Sequence, residues 1–235
     1  GLGSGKVEAE MQALLPKART LRWDWETTRQ KDAHEMILTH FANHQADILV
    51  GTQMLAKGLD LPLVTLVGIV LADVGLNLPD PFASERVFQV LTQVAGRAGR
   101  SSRGGQVVLQ TFQPESAVIQ AAARHDFEGN YRTELTQRER LGYPPFGRLV
   151  RLEIRDQDEG RAEAEARKLA DQLSAWIRSE RRVETGLIGP APAFFSKVDG
   201  IHRWQLIVRG PDPVAFLRGR IPSGWRVEVD PISLL

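Results

Sequence analysis

The chain has 235 residues, 30 Lys and Arg against 29 Asp and Glu for a net charge of +1, 42% hydrophobic residues, 21 glycines, 13 prolines and no cysteine. That length holds one large domain or two small ones with cores that need no staples. Lack of cysteine excludes thiolate zinc sites, disulfides, thiol nucleophiles and iron–sulfur clusters, and the near-zero charge excludes a wholly basic binder while leaving room for a local basic face.

The first residues, Gly-Leu-Gly-Ser-Gly, show no basic segment followed by an apolar run, so no signal peptide is expected. With no initiator Met, the chain reads as a piece of a longer polypeptide. Val7, Met11, Leu14 and Leu15 fall at helical spacing over residues 6–15, and Pro16 ends that run. ARTLRWDW is a short strand. Asp24 to Thr28 is rich in helix-capping types, and Ala33, Met36, Ile37 and Phe41 form the apolar stripe of a helix from about 28 to 44. DILVGT, VTLVGIVLA at 64–72 and QVVLQTF at 106–112 read as buried parallel strands, and FASERVFQVLTQVAG from 82 reads as a helix. The longest apolar stretch, Leu61 to Ala72, contains a proline and reaches only about half of the roughly 20 residues that a membrane helix needs. Helices alternating with doubly buried strands predict an α/β fold whose parallel sheet is covered on both faces.

After about residue 125 the pattern changes. FEGNYRTELTQRERL is a charged helix that Gly142-Tyr-Pro-Pro-Phe146 stops. Then follow a strand at 148–155, a helix at 159–182, a strand at 184–189, a loop at 190–200, a strand at 202–209, a short helix at 213–219 and a strand at 225–230. This β-α-β-β-α-β order is that of a small split-βαβ, ferredoxin-like α+β domain. The expected division is 1–142 and 143–235.

Three motifs invite chemistry. Gly3-Ser4-Gly5-Lys6 suggests a phosphate loop, but its upstream glycine is misplaced, Val7 stands where Ser or Thr is needed, and no strand precedes it. Gln93-Val-Ala-Gly96-Arg97-Ala-Gly99-Arg100 closes a helix. Its two arginines lie on one face, Gln93 at i−4 from Arg97 reaches the same place, and small residues allow close approach. Planar guanidinium groups suit the oxygens of a transferring phosphoryl group. Gly51-Thr52-Gln53-Met54-Leu55-Ala56-Lys57-Gly58-Leu59-Asp60 follows the strand DILV directly, at the strand end where open α/β sheets bind ligands. Thr52 can donate to a nucleic-acid phosphate, while Lys57 and Asp60 face either a nucleotide or a partner lobe.

The pair Gly51-Thr52…Lys57-Gly58-Leu59-Asp60 and Gln93…Arg100 resembles motifs V and VI of superfamily 2 helicases, both in the second RecA-like lobe. The fuller stretch GTQMLAKGLDLPLVTLVGIVLAD…PDPFASERVFQVLTQVAGRAGR, with LGYPPFGRL, GPAPA, HRWQLIV and the terminal VDPISLL, is similar to the replication-restart helicase family PriA, or primosomal protein N′. The resemblance implies a RecA-like parallel-sheet lobe lacking its first strand, followed by the α+β domain. It implies an ATP-dependent DNA helicase that moves 3′ to 5′, binds stalled or branched forks and promotes primosome assembly. An ATPase-inactive fork-binding and helicase-loading scaffold is the alternative.

By residue, the resemblance assigns Arg97, Arg100 and Gln93 to catalysis, Gly58, Asp60 and Gly96 to the nucleotide, and Gly51, Thr52, Gln53 and Lys57 to DNA. ATP and Mg2+ would be held mainly by the first lobe, with no zinc in this chain. Implied partners are single-stranded and forked DNA, single-stranded-DNA-binding protein and helicase-loading proteins, with no membrane, in the bacterial cytoplasm near the nucleoid. Two departures stand out: no cysteine of the family's zinc segment is here, so that either the fragment excludes that segment or this version lacks it, and Pro79-Asp80-Pro81-Phe82-Ala83 stands where the family reads PDFRA.

The remaining candidates read as structural. His40 and His44 sit at i, i+4 without the intervening carboxylate of a zinc helix, and are read as a solvated face. Asp73 is read as a turn residue. Trp23 and Trp25 share a strand face that could stack on bases, with core packing expected instead for one or both. Arg203 and Trp204 form either an exposed recognition face or part of a half-buried strand.

Overall fold

The computed structural model describes residues 3–24, 27–28, 33–52, 64–98 and 104–235, and the backbone alone at Arg97. The chain divides into two compact units, one of residues 1–73 and 87–125, the other of residues 74–86 and 126–235.

In the first unit, helix α1 (Ser4–Leu14) precedes strand β1 (Thr20–Trp23), helix α2 (Ala33–Ala42) and strand β2 (Ile48–Gly51). Strands β1 and β2 run parallel, from Thr20 opposite Ile48 to Trp23 opposite Gly51. Strand β3 (Leu66–Ile69) pairs in parallel with β4 (Gln106–Leu109), and helix α3 (Ala83–Ala98) lies between them in sequence. The expected parallel α/β arrangement is therefore present.

Coverage of both sheet faces is not seen on β3 and β4. Leu66 is 60% exposed and Val108 55%. Among the described residues these strands hydrogen-bond as a two-stranded ladder, and a lone pair has no central strand with two shielded faces. Helix α2 stops at Ala42, short of the predicted 44, because His44 takes a left-handed conformation with φ 56°. Helix α4 (Ala117–Ala123) was not anticipated; it is a short run of Ala and Ile behind Ser116, too brief for a periodic signal.

The second unit contains helix α5 (Phe127–Leu141), capped at its start by Asp126, whose carboxylate accepts from the Gly129 amide at 2.8 Å. Gly142 ends it in the left-handed region at φ 65°, so the stop is made before the two prolines are reached. Strand β5 (Arg148–Asp156), helix α6 (Glu159–Ser179), strands β6 (Gly186–Val198) and β7 (Ile201–Gly210), helix α7 (Pro213–Leu217) and strand β8 (Arg226–Val229) follow. Their antiparallel sheet has the order β6-β7-β5-β8, which is the split βαβ arrangement.

Strand alternation sorts the side chains of this sheet. Val150 and Leu152 on β5, with Leu206 and Val208 opposite them on β7, pack against Leu169, Ala170 and Leu173 of α6 and Phe216 of α7. Leu149 and Ile207 fall on the other face, where Leu234 from the chain's end closes over them.

The predicted loop at 190–200 is overturned: β6 runs on to Val198 and turns through Asp199 and Gly200 into β7. Pro190 and Pro192 stand within this strand. They are tolerated because β6 is an edge strand with register shifts between Ile188 and Ala191 and between Pro192 and Lys197.

Candidate functional site

The ends of the parallel pair β1–β2 are treated differently by the sequence. At the entry end, Arg19 grips Asp47 in a bidentate pair, with Nη2 to Oδ1 at 2.8 Å and Nε to Oδ2 at 3.0 Å, while the Arg19 amide donates to Oδ2 at 2.8 Å. Arg19 Nη2 also donates to the His44 carbonyl at 2.7 Å, which accounts for His44 as a turn-fixing residue outside the helix. The Arg19 guanidinium and amide hold the Asp47 carboxyl down at about 2, from an ordinary 3.8.

At the exit end, Gly51 closes β2 beside Trp23 and is followed by an exposed Thr52. Trp23 is buried, 4% exposed, and donates its indole N–H to His34 Nδ1 at 3.0 Å, so it is a core residue and not a base-stacking platform. Trp25 lies outside the described residues.

Asp24, the next residue, organises this exit and was missed as a site-shaping residue by the sequence reading. Its carboxylate accepts from the Thr27 amide at 3.0 Å and from Ser4 Oγ, and it pairs with Arg22 Nε at 3.1 Å. Thr27 and Thr28 hydroxyls both donate back to the Asp24 carbonyl, at 3.1 and 2.6 Å. The signal was present as an Asp followed by two threonines at turn spacing. Ser4, the second residue of the apparent phosphate loop, is thus spent on Asp24.

Helix α3 brings Gln93, Gly96 and Arg97 onto one face at i, i+3 and i+4. Gln93 is exposed, and a Cβ on Gly96 would meet nothing within 4 Å, so this face is open to close approach. Behind it, Gly105 abuts the Ala98 carbonyl so closely that a side chain there would overlap it, pinning the end of α3 against the start of β4. Thus Gly51, Thr52, Gln93 and Gly96 are placed in the first unit, along with the Arg97 backbone. Gln53, Lys57, Gly58, Asp60 and Arg100 lie outside the described residues.

Asp73 sits in a 3-10 turn over Ala72–Gly75 and is buried. It accepts from Thr111 Oγ1 at 2.6 Å and from the Phe112 amide at 3.0 Å, and the Thr111 hydroxyl above all holds its carboxyl below the ordinary value. It ties the exits of β3 and β4 together. In the second unit Trp204 is 8% exposed and packs on Ala162 and Ala166 of α6, so it belongs to the core, while Arg203 projects from the opposite face of β7. Phe82, at the departure from PDFRA, lies beneath Arg138 of α5, whose guanidinium carbon is 5.1 Å from the ring centroid. No group of three or more metal-ligating side chains occurs among the described residues, and no described helix is long and apolar enough to cross a membrane.

Parallel strands, a Gly-Thr exit and a Gln-x-x-Gly-Arg helix define the C-terminal lobe of a RecA-like helicase. Residues 10–102 match the helicase conserved C-terminal domain. Residues 139–232 match the primosomal protein N C-terminal domain. The chain belongs to the PriA family of replication restart proteins, whose C-terminal part it represents. It is 41% identical over 242 residues to the replication restart protein PriA of Synechocystis, covering 100% of this chain and 29% of that protein. With the protein of that name from Bacillus subtilis it shares 39% over 209 residues, 89% of this chain and 26% of the relative. With that of Treponema pallidum it shares 37% over 245 residues, covering 100% of this chain and 36% of the relative. The chain therefore spans roughly a third of the length of these curated relatives.

Proposed function

We propose that this chain is the second motor lobe and C-terminal domain of an ATP-driven DNA helicase, with the lobe over 1–142 and the domain over 143–235. Arg97 and Arg100, assisted by Gln93, reach the γ-phosphate of an ATP whose phosphates and Mg2+ are held by the other lobe. Gly58, Asp60 and Gly96 line the nucleotide side. Thr52, with Gly51, Gln53 and Lys57, grips a phosphate of the DNA backbone, so closure of the lobes on ATP shifts the strand in the 3′-to-5′ direction. Fork binding, contact with single-stranded-DNA-binding protein and with helicase-loading proteins, and a place at the bacterial nucleoid belong to the same proposal, which the resemblance to PriA supports.

The observation that carries this reading is the open face of α3. An exposed Gln93, an unobstructed Gly96 and Arg97 stand within one turn of each other on a helix of the lobe whose strand exit presents Thr52. A guanidinium delivered to a transferring phosphoryl group is worth on the order of 10³ to 10⁵ in rate. Arg97→Ala in the full-length protein is expected to lower DNA-stimulated ATP hydrolysis by about 10³ or more, leaving DNA affinity within about twofold, because backbone gripping is a separate, salt-sensitive contact. Unchanged hydrolysis would reject the assignment. A wild-type protein that binds forks but hydrolyses no ATP would establish the loading scaffold instead.

A further inference from the structure

The two faces of the antiparallel sheet in the second unit are finished differently. Val150, Leu152, Leu206 and Val208 lie against α6 and α7, while the odd-numbered residues of β5 and β7 point the other way. At one end of that second face Leu234 closes over Leu149 and Ile207, and Arg151 is paired with Glu228 at 2.5 Å. Towards the other end the face turns polar. Register places Arg226 of β8, Glu153 of β5 and Gln205 of β7 in one row across the strands, and sets Arg155 of β5 directly opposite Arg203 of β7 in the next.

Charge in these two rows does not balance. Three guanidinium groups, those of Arg155, Arg203 and Arg226, stand with the single carboxylate of Glu153. That carboxylate is committed to Arg155, whose Nε donates to its Oε1 at 2.5 Å, and its side chain is 6% exposed against 41% for the arginine. Two positive charges are left over. Like charges directly opposite one another on a sheet are destabilising, so Arg155 and Arg203 are held in a juxtaposition that one shared carboxylate offsets only in part. Two polar atoms of the same rows also lack partners: Arg203 Nε and Gln205 Oε1 are buried, and neither makes a hydrogen bond. Buried polar groups are nearly always satisfied, and an orphan guanidinium N–H in an over-cationic patch is a place for the oxygen of an anion. Turning the Gln205 amide about its last bond directs a second N–H to the same patch.

We infer that Arg155, Arg203 and Arg226, with Gln205, form a binding site for a phosphate monoester. A monoester carries close to two negative charges at neutral pH, which matches the excess of two, whereas a backbone phosphodiester or a side-chain carboxylate carries one. Its three terminal oxygens also offer several acceptors at once to planar guanidinium forks approaching from neighbouring strands. That chemistry has two sources: the 5′-terminal phosphate of a DNA strand, and free phosphate or a nucleotide. The inference draws on the second unit alone and does not rest on the motor reading.

The test uses the full-length protein at constant ionic strength. Anisotropy gives its affinity for 3′-labelled single strands of one sequence that end in either a 5′-phosphate or a 5′-hydroxyl. The phosphorylated strand is expected to bind about 10-fold tighter, the worth of one or two charge-assisted hydrogen bonds. Arg203→Gln and Arg226→Gln are each expected to bring the two strands within about twofold, with the affinity for the hydroxyl-ended strand unchanged. Arg226 is exposed on an outermost strand, so its variant decides should Arg203→Gln fail to fold. In parallel, thermal unfolding is followed in inorganic phosphate and in chloride. A preference for the phosphorylated strand that both variants lose supports the proposal and assigns the site to a DNA end. Stabilisation by inorganic phosphate that both variants lose, without a preference between strands, supports it and assigns the site to a free phosphate. Equal affinity for the two strands together with no variant-sensitive effect of phosphate overturns the proposal. Variants that weaken both strands alike overturn it as well, because the arginines would then hold a backbone phosphodiester.

Discussion

Carboxylates decide much of the geometry around the candidate site, and each is spent differently. Asp24 is used up in a turn, Asp73 ties two strand exits, Asp80 accepts from Ser233 and the Leu234 amide, and Asp47 is held low by Arg19. Because the Arg19 guanidinium and amide favour the charged form, the folded Asp47 titrates at about 2 against an ordinary 3.8. A depressed value means that the pair contributes stability above the unfolded value and loses it as pH falls through the folded one. The entry end of β1–β2 is therefore expected to be insensitive to pH from neutrality down to about 4 and to loosen between about 4 and 2. The check is the carboxyl carbon shift of Asp47 followed by NMR in acid: a midpoint near 2 is expected, and a midpoint near 4 would show that the pair does not form in solution. Asp47→Asn should abolish the transition.

At the scale of elements, edge position decides what a strand tolerates. Strand β6 accepts two prolines because, among the described residues, it is an outermost strand of its sheet, and its register shifts across Gly189, between Ile188 and Ala191. That glycine has φ +98°, and a Cβ would come within 2.8 Å of the Gln205 carbonyl oxygen. Gly189→Ala is expected to cost about 1–3 kcal/mol, read as a lower midpoint in denaturant with an unchanged slope. An unaltered midpoint would mean that the strand is free to relax away from β7. The same element marks the limit of sequence reading. Local periodicity identifies β5, α6, β7 and the parallel strands, since their apolar spacing is set by one partner surface. It could not find that β6 continues past Pro190, since tolerance of proline depends on which strand is outermost. Nor could it tell that Trp204 faces α6 while Arg203 faces away, since alternation fixes the two faces but not which one is covered. The motif helix was legible because Gln93, Gly96 and Arg97 are fixed by spacing. The hydrogen bond from Ser233 to Asp80 was not, because the two residues stand 153 apart in the chain.

For the molecule as a whole, the question is how much of a motor these residues contain. The proposed site needs two kinds of group: cations that neutralise the charge developing on the γ-phosphoryl, and a loop of amides with a lysine and a hydroxyl that holds the β-phosphate and Mg2+ before transfer. Candidates for the first kind are present in Arg97 and Arg100. The second kind is absent from these residues: the lone Gly-Lys pair, Gly5-Lys6, is followed by Val7 where Ser or Thr is needed and lies in the first turn of a helix, and Ser4 is bonded to Asp24. An arginine finger without a held phosphate has nothing to stabilise, since its contribution is realised only in a transition state assembled elsewhere. Residues 1–235 alone are therefore expected to hydrolyse ATP at the buffer background with or without single-stranded DNA, as measured by phosphate release. They should still bind single-stranded DNA weakly, with an affinity that falls as salt rises, because the backbone grip proposed for Thr52 and its neighbours needs no nucleotide. Robust DNA-stimulated hydrolysis by these residues would mean that the nucleotide is held within this chain, and that the division of labour between two lobes is wrong for this protein.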